Sequence, residues 1–153
     1  MDYQAKLKVP FGVLGIRCDE RALHGIDFLP ATEKPLRPAS ALAATVCEQL
    51  QRYFENPAMK FTVPLEPGGT AHQQKVWQAM CNIPRGNTRS YGELAAELNS
   101  GAQAVGQACG ANPIPIVTPC HRVVGKYGLG GFMRHASGVS LDIKRWLLAH
   151  EQR

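Results

Sequence analysis

The feature that most limits how this chain can fold is a change of hydrophobic period across Pro64-Leu65-Glu66-Pro67-Gly68-Gly69. Two prolines and two glycines make this stretch a linker. Before it the pattern is short and alternating. Tyr3, Ala5, Leu7 and Val9 alternate with Gln4, Lys6 and Lys8, the period-two signature of a half-buried strand. Pro10-Phe11-Gly12 turns the chain, and Leu14, Ile16 and Cys18 then share one face of a second strand. A polar turn at residues 19–22 leads to a third strand, Leu23 to Phe28. Connections this short predict an antiparallel meander. After a proline-bearing loop, Ser40 can cap a helix to about Asn56, with Leu42, Val46, Leu50, Tyr53 and Phe54 on one face and Cys47 beside it. Residues 1–68 are therefore expected to form a small sheet-and-helix domain.

Beyond the linker the spacing becomes helical, and three Ser/Thr-x-x-Gln/Glu boxes mark helix starts. Thr70 to Gln73 opens a helix with Val76, Trp77 and Met80 as its apolar stripe, and Cys81, bordering that stripe, is expected in the core too. Ser90 to Glu93 opens a short one with Leu94, Ala95 and Leu98. Ser100 to Gln103 opens another, to about Ala111. Two short helices joined by Asn99-Ser100-Gly101 form a helix-turn-helix candidate, although an ordinary helical hairpin has the same spacing. The second of them is built of small residues: Ala102, Ala104, Gly106, Ala108, Gly110 and Ala111. It lacks the long polar side chains that read a major groove. It suits close approach to a nucleic-acid backbone or minor groove, or tight packing on a neighbouring helix. A glycine-rich segment, residues 125–138, follows; Ser140 can cap a last helix, Leu141 to Glu151, with Ile143, Trp146, Leu147 and Leu148 buried. The overall class is α/β in the α+β sense, with residues 69–153 as a mostly helical second domain.

Chemistry concentrates between these helices, in Asn112-Pro113-Ile114-Pro115-Ile116-Val117-Thr118-Pro119-Cys120-His121-Arg122. A strand-like apolar run from Ile114 to Val117 delivers the backbone to Pro119, and a thiol and an imidazole follow at once. A cysteine attacks as thiolate, and an imidazole within reach can take its proton. The five cysteines are odd in number and form no CxxC pair, which points to free thiols in a reducing, cytoplasmic setting. No stretch has the length and apolarity of a membrane span, and the N-terminus has no signal-peptide pattern. The net charge of +5 resides in residues 70–153, since residues 1–69 carry equal numbers of acidic and basic groups. A basic half fits a phosphate-bearing partner, or solubility alone.

Pro119-Cys120-His121-Arg122-Val123 resembles the signature of the O6-alkylguanine-DNA alkyltransferases. The resemblance continues in order through Val76-Trp77, Pro84-Arg85-Gly86, residues 90–95, Ala104-Val105-Gly106, Ala111-Asn112-Pro113 and residues 146–151. It implies a ribonuclease-H-like N-terminal domain and a helix-turn-helix domain carrying the acceptor. It also implies suicidal, direct-reversal DNA repair: a single, irreversible transfer of the alkyl group of O6-alkylguanine, with O4-alkylthymine as a further substrate, to Cys120. His121 matches the base that acts through a water, and Glu151 the carboxylate that orients it. Asn112 matches a hinge that braces the active-site turn, and Tyr91 a proton donor to the departing guanine. Ser100, Ala102, Gln103, Ala104, Gly106 and Arg122 match DNA contacts in the minor groove of a duplex. Ala108 belongs to the same small-residue face. Phe132, Met133, Ser137 and Gly138 match the loop bordering the alkyl pocket. The base would be flipped out of the stack to reach the thiol. The expected protein is a monomer with neither cofactor nor membrane partner. Some relatives hold zinc near the N-terminus; Cys18 and His24 are too few for a closed tetrahedral site, so no metal is expected.

The chain departs from the family pattern at three places. Gln103 stands where an arginine usually enters the stack, His72 where an aromatic is usual, and residues 132–139 are longer and poorer in glycine. Three other readings compete. A non-catalytic binder of alkylated DNA would lack the cysteine. A Cys-His hydrolase would need an oxyanion hole, for which there is no sequence signal. A helix-turn-helix regulator would need a base-reading helix.

Overall fold

The computed structural model describes residues 2–131 and 138–153, which divide into two compact units, residues 1–67 and 68–153. The first unit is a three-stranded antiparallel meander in the order β1-β2-β3, with β1 at Ala5–Val9, β2 at Gly12–Cys18 and β3 at Leu23–Leu29. Alternation sets the register: Leu7 faces Leu14, and Ile16 faces Ala5 on one side and Ile26 on the other. Helix α1, Ala41–Glu55, starts at Ser40, whose side chain accepts from the Ala43 amide. It buries Ala43, Val46, Cys47, Leu50 and Tyr53, while Leu42 and Phe54 are half-buried. Tyr3 and Arg17 both bond Asp27, and their side chains lie over Gly15 and Gly25, where a Cβ would collide with them.

The second unit opens with α2, Ala71–Cys81, started by the Thr70–Gln73 capping box. Trp77 is buried along it and its indole N–H donates to the Ala108 carbonyl at 2.8 Å. Cys81 is exposed rather than core, because it follows the last buried residue of the stripe, Met80, by only one position. Arg89–Ser90 forms β4, and the Ser90–Glu93 box starts α3, Tyr91–Glu97. Helix α4 is Ala102–Gly110. After the Cys120–Arg122 single 3-10 turn, Val123–Val124 forms β5, which pairs in parallel with β4. Helix α5, Gly138–His150, closes the unit.

Several sequence expectations need correction. Ser100 does not cap α4; the N-cap is Gly101, with no side-chain bond. The cause is the end of α3. Its last turn closes with Ser100 N–H on the Ala95 carbonyl and Asn99 N–H on that of Ala96, with Asn99 at φ 54. This is a Schellman stop with asparagine in the left-handed position. Ser100 is thus used by the preceding helix, and its hydroxyl bonds His72 Nε2 at 2.9 Å. Ser140 likewise lies inside α5 rather than at its start. On α5 the buried stripe is Ile143, Lys144, Leu147 and His150, continued just past its end by Glu151, with Trp146 and Leu148 only half-buried. Finally, Ile114 to Val117 is a turn, not a strand. Pro113, Pro115 and Pro119 remove the amide donors a ladder needs, and Thr118 N–H closes the turn on the Ile114 carbonyl at 2.9 Å.

Candidate active site

The turn carrying Cys120 is held from inside. Asn112 is 2% exposed. Its Oδ1 accepts from the Ile114 amide at 3.0 Å, and its Nδ2 donates to the Thr118 carbonyl at 2.8 Å. Between these anchors Ile116 adopts φ 74, a conformation β-branched residues almost never take. Such strain persists only where surrounding bonds over-determine it. Pro119 then feeds the 3-10 turn, so that Cys120 and His121 are presented from one short, rigid step.

Cys120 and His121 are both buried. Burial pushes the Cys120 thiol up to about 11, against the pull of the Asn112 side-chain bond and the Lys144 charge. The group rests as a thiol and needs a base. Burial also moves His121 below its ordinary value, although the Glu151 carboxylate opposes that shift. The imidazole is therefore neutral at pH 7 and can accept a proton. His121 Nε2 stands 2.9 Å from Glu151 Oε2, while Nδ1 has no hydrogen-bond partner among the described residues.

Glu151, 1% exposed, sits just past the C-terminus of α5, where the helix dipole disfavours an anion. Arg122 offsets this. Its Nε and Nη2 meet Glu151 Oε1 and Oε2 at 2.9 Å each, and its Nη1 donates to the Ile83 carbonyl at 2.6 Å. A bidentate fork fixes the carboxylate plane as well as its charge. Arg85 adds to the clasp by donating to the Glu151 and Arg153 carbonyls, capping α5. Arg122, expected among the DNA contacts, thus spends its guanidinium inside the protein on the carboxylate beside His121.

The β4–β5 pair sets Ser90 opposite Val124 and so brings Tyr91 to the segment that follows Cys120. The Tyr91 hydroxyl lies 3.4 Å from the Gly131 carbonyl and 3.3 Å from the Gly131 amide. Burial raises its pKa, so it stays protonated. Gly130, at φ +73, approaches so closely that a Cβ there would lie 2.7 Å from the Tyr91 ring. Lys144 completes the surroundings and was not anticipated. The signal was present: it lies seven residues before Glu151 on the same buried stripe of α5.

On α4, Ala102, Gln103 and Ala104 are exposed and Gly106 is half-buried, while Ala108 turns inward onto Trp77. An outward face of small residues and two amides, Gln103 and Gln107, remains. Ser100 is half-buried against His72. Phe132, Met133 and Ser137 lie outside the described residues, and Gly138 enters only as the first residue of α5. Among the described residues no group of three or more His, Cys, Asp and Glu could hold a metal ion.

Comparison with known proteins bears on this geometry. Residues 71–153 match the family described as 6-O-methylguanine DNA methyltransferase, DNA binding domain, and residues 3–67 match its ribonuclease-like domain. The chain belongs to the 6-O-methylguanine DNA methyltransferases. The methylated-DNA–protein-cysteine methyltransferase of Methanosarcina mazei is 39% identical, over 98% of this chain and 97% of its own length. That of Salmonella typhimurium is also 39% identical, over 97% and 94%. The solved O6-methylguanine methyltransferase of Mycobacterium tuberculosis superposes with a TM-score of 0.83 at 34% identity, over 99% of this chain and 92% of that one. The Mycobacterium tuberculosis protein has also been solved in complex with DNA; that structure gives 0.80 at 36% identity, over 96% and 91%. Membership of the methyltransferase family covers both units, so the mixed sheet-and-helix architecture follows that of the solved methyltransferases.

Proposed function

We propose that this protein repairs DNA directly, by transferring the alkyl group of O6-alkylguanine to the sulfur of Cys120. The observation that carries the reading is the buried Cys120-His121-Glu151 arrangement, in a chain similar along its whole length to methylated-DNA–protein-cysteine methyltransferases. His121, neutral and held beside Glu151, takes the thiol proton through a water. The thiolate attacks the alkyl carbon, the C–O6 bond breaks, and its electron pair leaves on guanine. Tyr91 gives the departing base a proton, and the proton that His121 took returns through solvent to the phenolate. The product is a thioether on Cys120, which no group in the site can reverse, so each molecule acts once. Arg122 holds Glu151 in place, and Asn112 holds the turn. The partner is duplex DNA, supported by the relative solved with DNA and by the outward small-residue face of α4. No helix among the described residues is long and apolar enough to cross a membrane.

The test is a duplex carrying labelled O6-methylguanine in excess over protein. One label per molecule is expected, on the peptide containing Cys120, and Cys120→Ser should bind the duplex yet take up none. Repair beyond one equivalent would refute transfer to the protein and favour a hydrolase.

A further inference from the structure

A second thiol, Cys109, shares the surroundings of Cys120 and has no part in the transfer. It lies near the end of α4, buried on the inward side with Val105 and Ala108. Gly106, one turn earlier on the same face, lies against Tyr91; a Cβ there would stand 3.9 Å from the ring. The Cys109 carbonyl accepts from the Asn112 amide at 3.3 Å. Asn112 Nδ2 donates to the Thr118 carbonyl at 2.8 Å, and that carbonyl also takes the Cys120 amide at 2.8 Å. The Asn112 side chain bonds the Cys120 sulfur as well. One asparagine therefore ties the Cys109 end of residues 109–120 to the Cys120 end. The two thiols also share an electrostatic neighbourhood. The Cys120 charge acts on Cys109, and both cysteines act on Tyr91 and on Lys144. Cys81 approaches the same turn, with its sulfur 3.9 Å from Thr118 Oγ1, but it is exposed and its charged neighbour is Arg122.

Cys109 has no strong partner to keep it in place. Its thiol donates to the Met80 sulfur at 3.5 Å, a weak contact between polarizable groups. Burial and the Cys120 charge push it up to about 12, so by itself it is inert. Cys120 differs, because His121 can take its proton. A thiol with a base at hand is the one an oxidant attacks first, and a second thiol nearby resolves the product. The chain can adjust at both positions, since α4 ends at Gly110 and Cys120 begins a three-residue turn.

We propose that Cys109 is the resolving thiol of a reversible redox switch on Cys120, with hydrogen peroxide as the oxidant. The Cys120 thiolate attacks one peroxide oxygen and the O–O bond breaks. Hydroxide leaves and takes up the proton held by His121, giving water. Sulfur is oxidised to the sulfenic acid, and peroxide is reduced. Cys109 then attacks the Cys120 sulfur. The S–S bond forms, the S–O bond breaks, and hydroxide leaves as a second water with the Cys109 proton. A dithiol reductant restores both thiols and is itself oxidised to a disulfide. The bridge blocks the sulfur that takes the alkyl group, and it shields that sulfur from irreversible oxidation. The bridge needs no assumption about the alkyl substrate; its effect on repair rests on the reading of Cys120 as acceptor.

The experiment treats the full chain with excess hydrogen peroxide, removes the excess with catalase, and reads two quantities. The first is the mass of the tryptic peptide from Ser90 to Arg122, which contains Cys109 and Cys120 and no other cysteine. It should lose two hydrogens and take up no iodoacetamide until dithiothreitol is added. The second is transfer from free O6-benzylguanine, relative to each protein's untreated value. The unsubstituted protein should lose nearly all transfer and regain nearly all of it with dithiothreitol. Cys109→Ser should lose it too and regain almost none, its peptide carrying two added oxygens on Cys120. If the buried hydroxyl unsettles the fold, Cys109→Ala takes its place. Protein alkylated on Cys120 beforehand should keep Cys109 free to label, because no sulfenic acid can form.

The proposal fails if the unsubstituted peptide gains oxygen or stays unchanged instead of losing two hydrogens. It fails if Cys120 is bridged to Cys81 or to a second chain, or if Cys109→Ser recovers as fully as the unsubstituted protein. If untreated protein transfers nothing from the benzylated base, the acceptor reading falls, and the peptide mass alone still decides the bridge.

Discussion

Replacing Asn112 by alanine should both loosen the second unit and slow Cys120. The side chain makes two buried bonds, from the Ile114 amide and to the Thr118 carbonyl. Its loss leaves a buried donor and a buried acceptor without partners, at about 1–3 kcal/mol each. Some of this returns. Ile116 is held at φ 74, and a loosened turn can relax strain of about 1–3 kcal/mol. The net loss is therefore about 2–3 kcal/mol. Both tryptophans, Trp77 and Trp146, lie in residues 68–153, so intrinsic fluorescence during urea unfolding reports on this unit alone. With a slope of about 1 kcal/mol per molar urea, the midpoint should fall by roughly 2–3 M. The remaining amide proton helps hold the Cys120 thiol below what burial alone would impose. Reaction with free benzylated guanine should accordingly slow as well. Asn112→Asp is the informative control. It keeps the acceptor for Ile114 but sets an oxygen against the Thr118 carbonyl and adds a negative charge beside the thiol. It should be destabilised comparably and react at least as slowly. A midpoint shift under about 0.5 M, or a stable Asn112→Asp protein with unchanged reactivity, would refute the bracing argument.

Alkylation of Cys120, which is only 4% exposed, should overpack its surroundings by about 1–3 kcal/mol and lower the melting midpoint; an equal or higher midpoint for alkylated protein would contradict this. His121 has a folded-state pKa below its unfolded value, so the unfolded chain binds more protons just under pH 6.5. Its contribution to stability is complete above pH 6.5 and is lost as pH falls through the folded value; denaturant titrations should show a slope there that His121→Gln removes. Binding to undamaged duplex should weaken steeply with salt and vary little with sequence, because the outward face of α4 offers only Gln103 and Gln107 as long polar groups; a strong preference in a competition assay would favour a regulator. Gln103→Arg supplies a long cation at an exposed position of α4 and should speed repair of alkylated duplex while leaving reaction with free benzylated guanine unchanged; equal effects on both would exclude a role in base extrusion.

Local chemistry sufficed wherever neighbours in sequence are neighbours in space. Alternation from Ala5 to Leu29 set the strand faces, because a strand's side chains alternate whatever lies beyond it. Thr70 and Ser90 capped their helices because a capping box closes within four residues. Cys120 and His121 could be named as chemistry because they are adjacent and follow a proline that limits the backbone. The third box failed for a reason no local rule contains. Ser100 was needed to stop α3, and its hydroxyl went to His72, 28 residues earlier. The apolar run before Cys120 failed as a strand because its prolines lack donors and Asn112 bends it into a turn.

Everything that converts Cys120 from a buried thiol into a reactive group was decided by tertiary structure. The sequence put Glu151 at an unfavourable helix end, but only packing brought Arg122 and His121 to it across 29 and 30 residues of chain. Two residues of parallel pairing, far too short to read from a pattern, carried Tyr91 to the Cys120 segment. Lys144 has the sequence appearance of a surface lysine. It became a buried anchor because the glycine segment folded back over it, turning inward three carbonyls that its three N–H donors satisfy. Charges and carbonyls act over a few ångströms in space, and a sequence records separation along the chain alone.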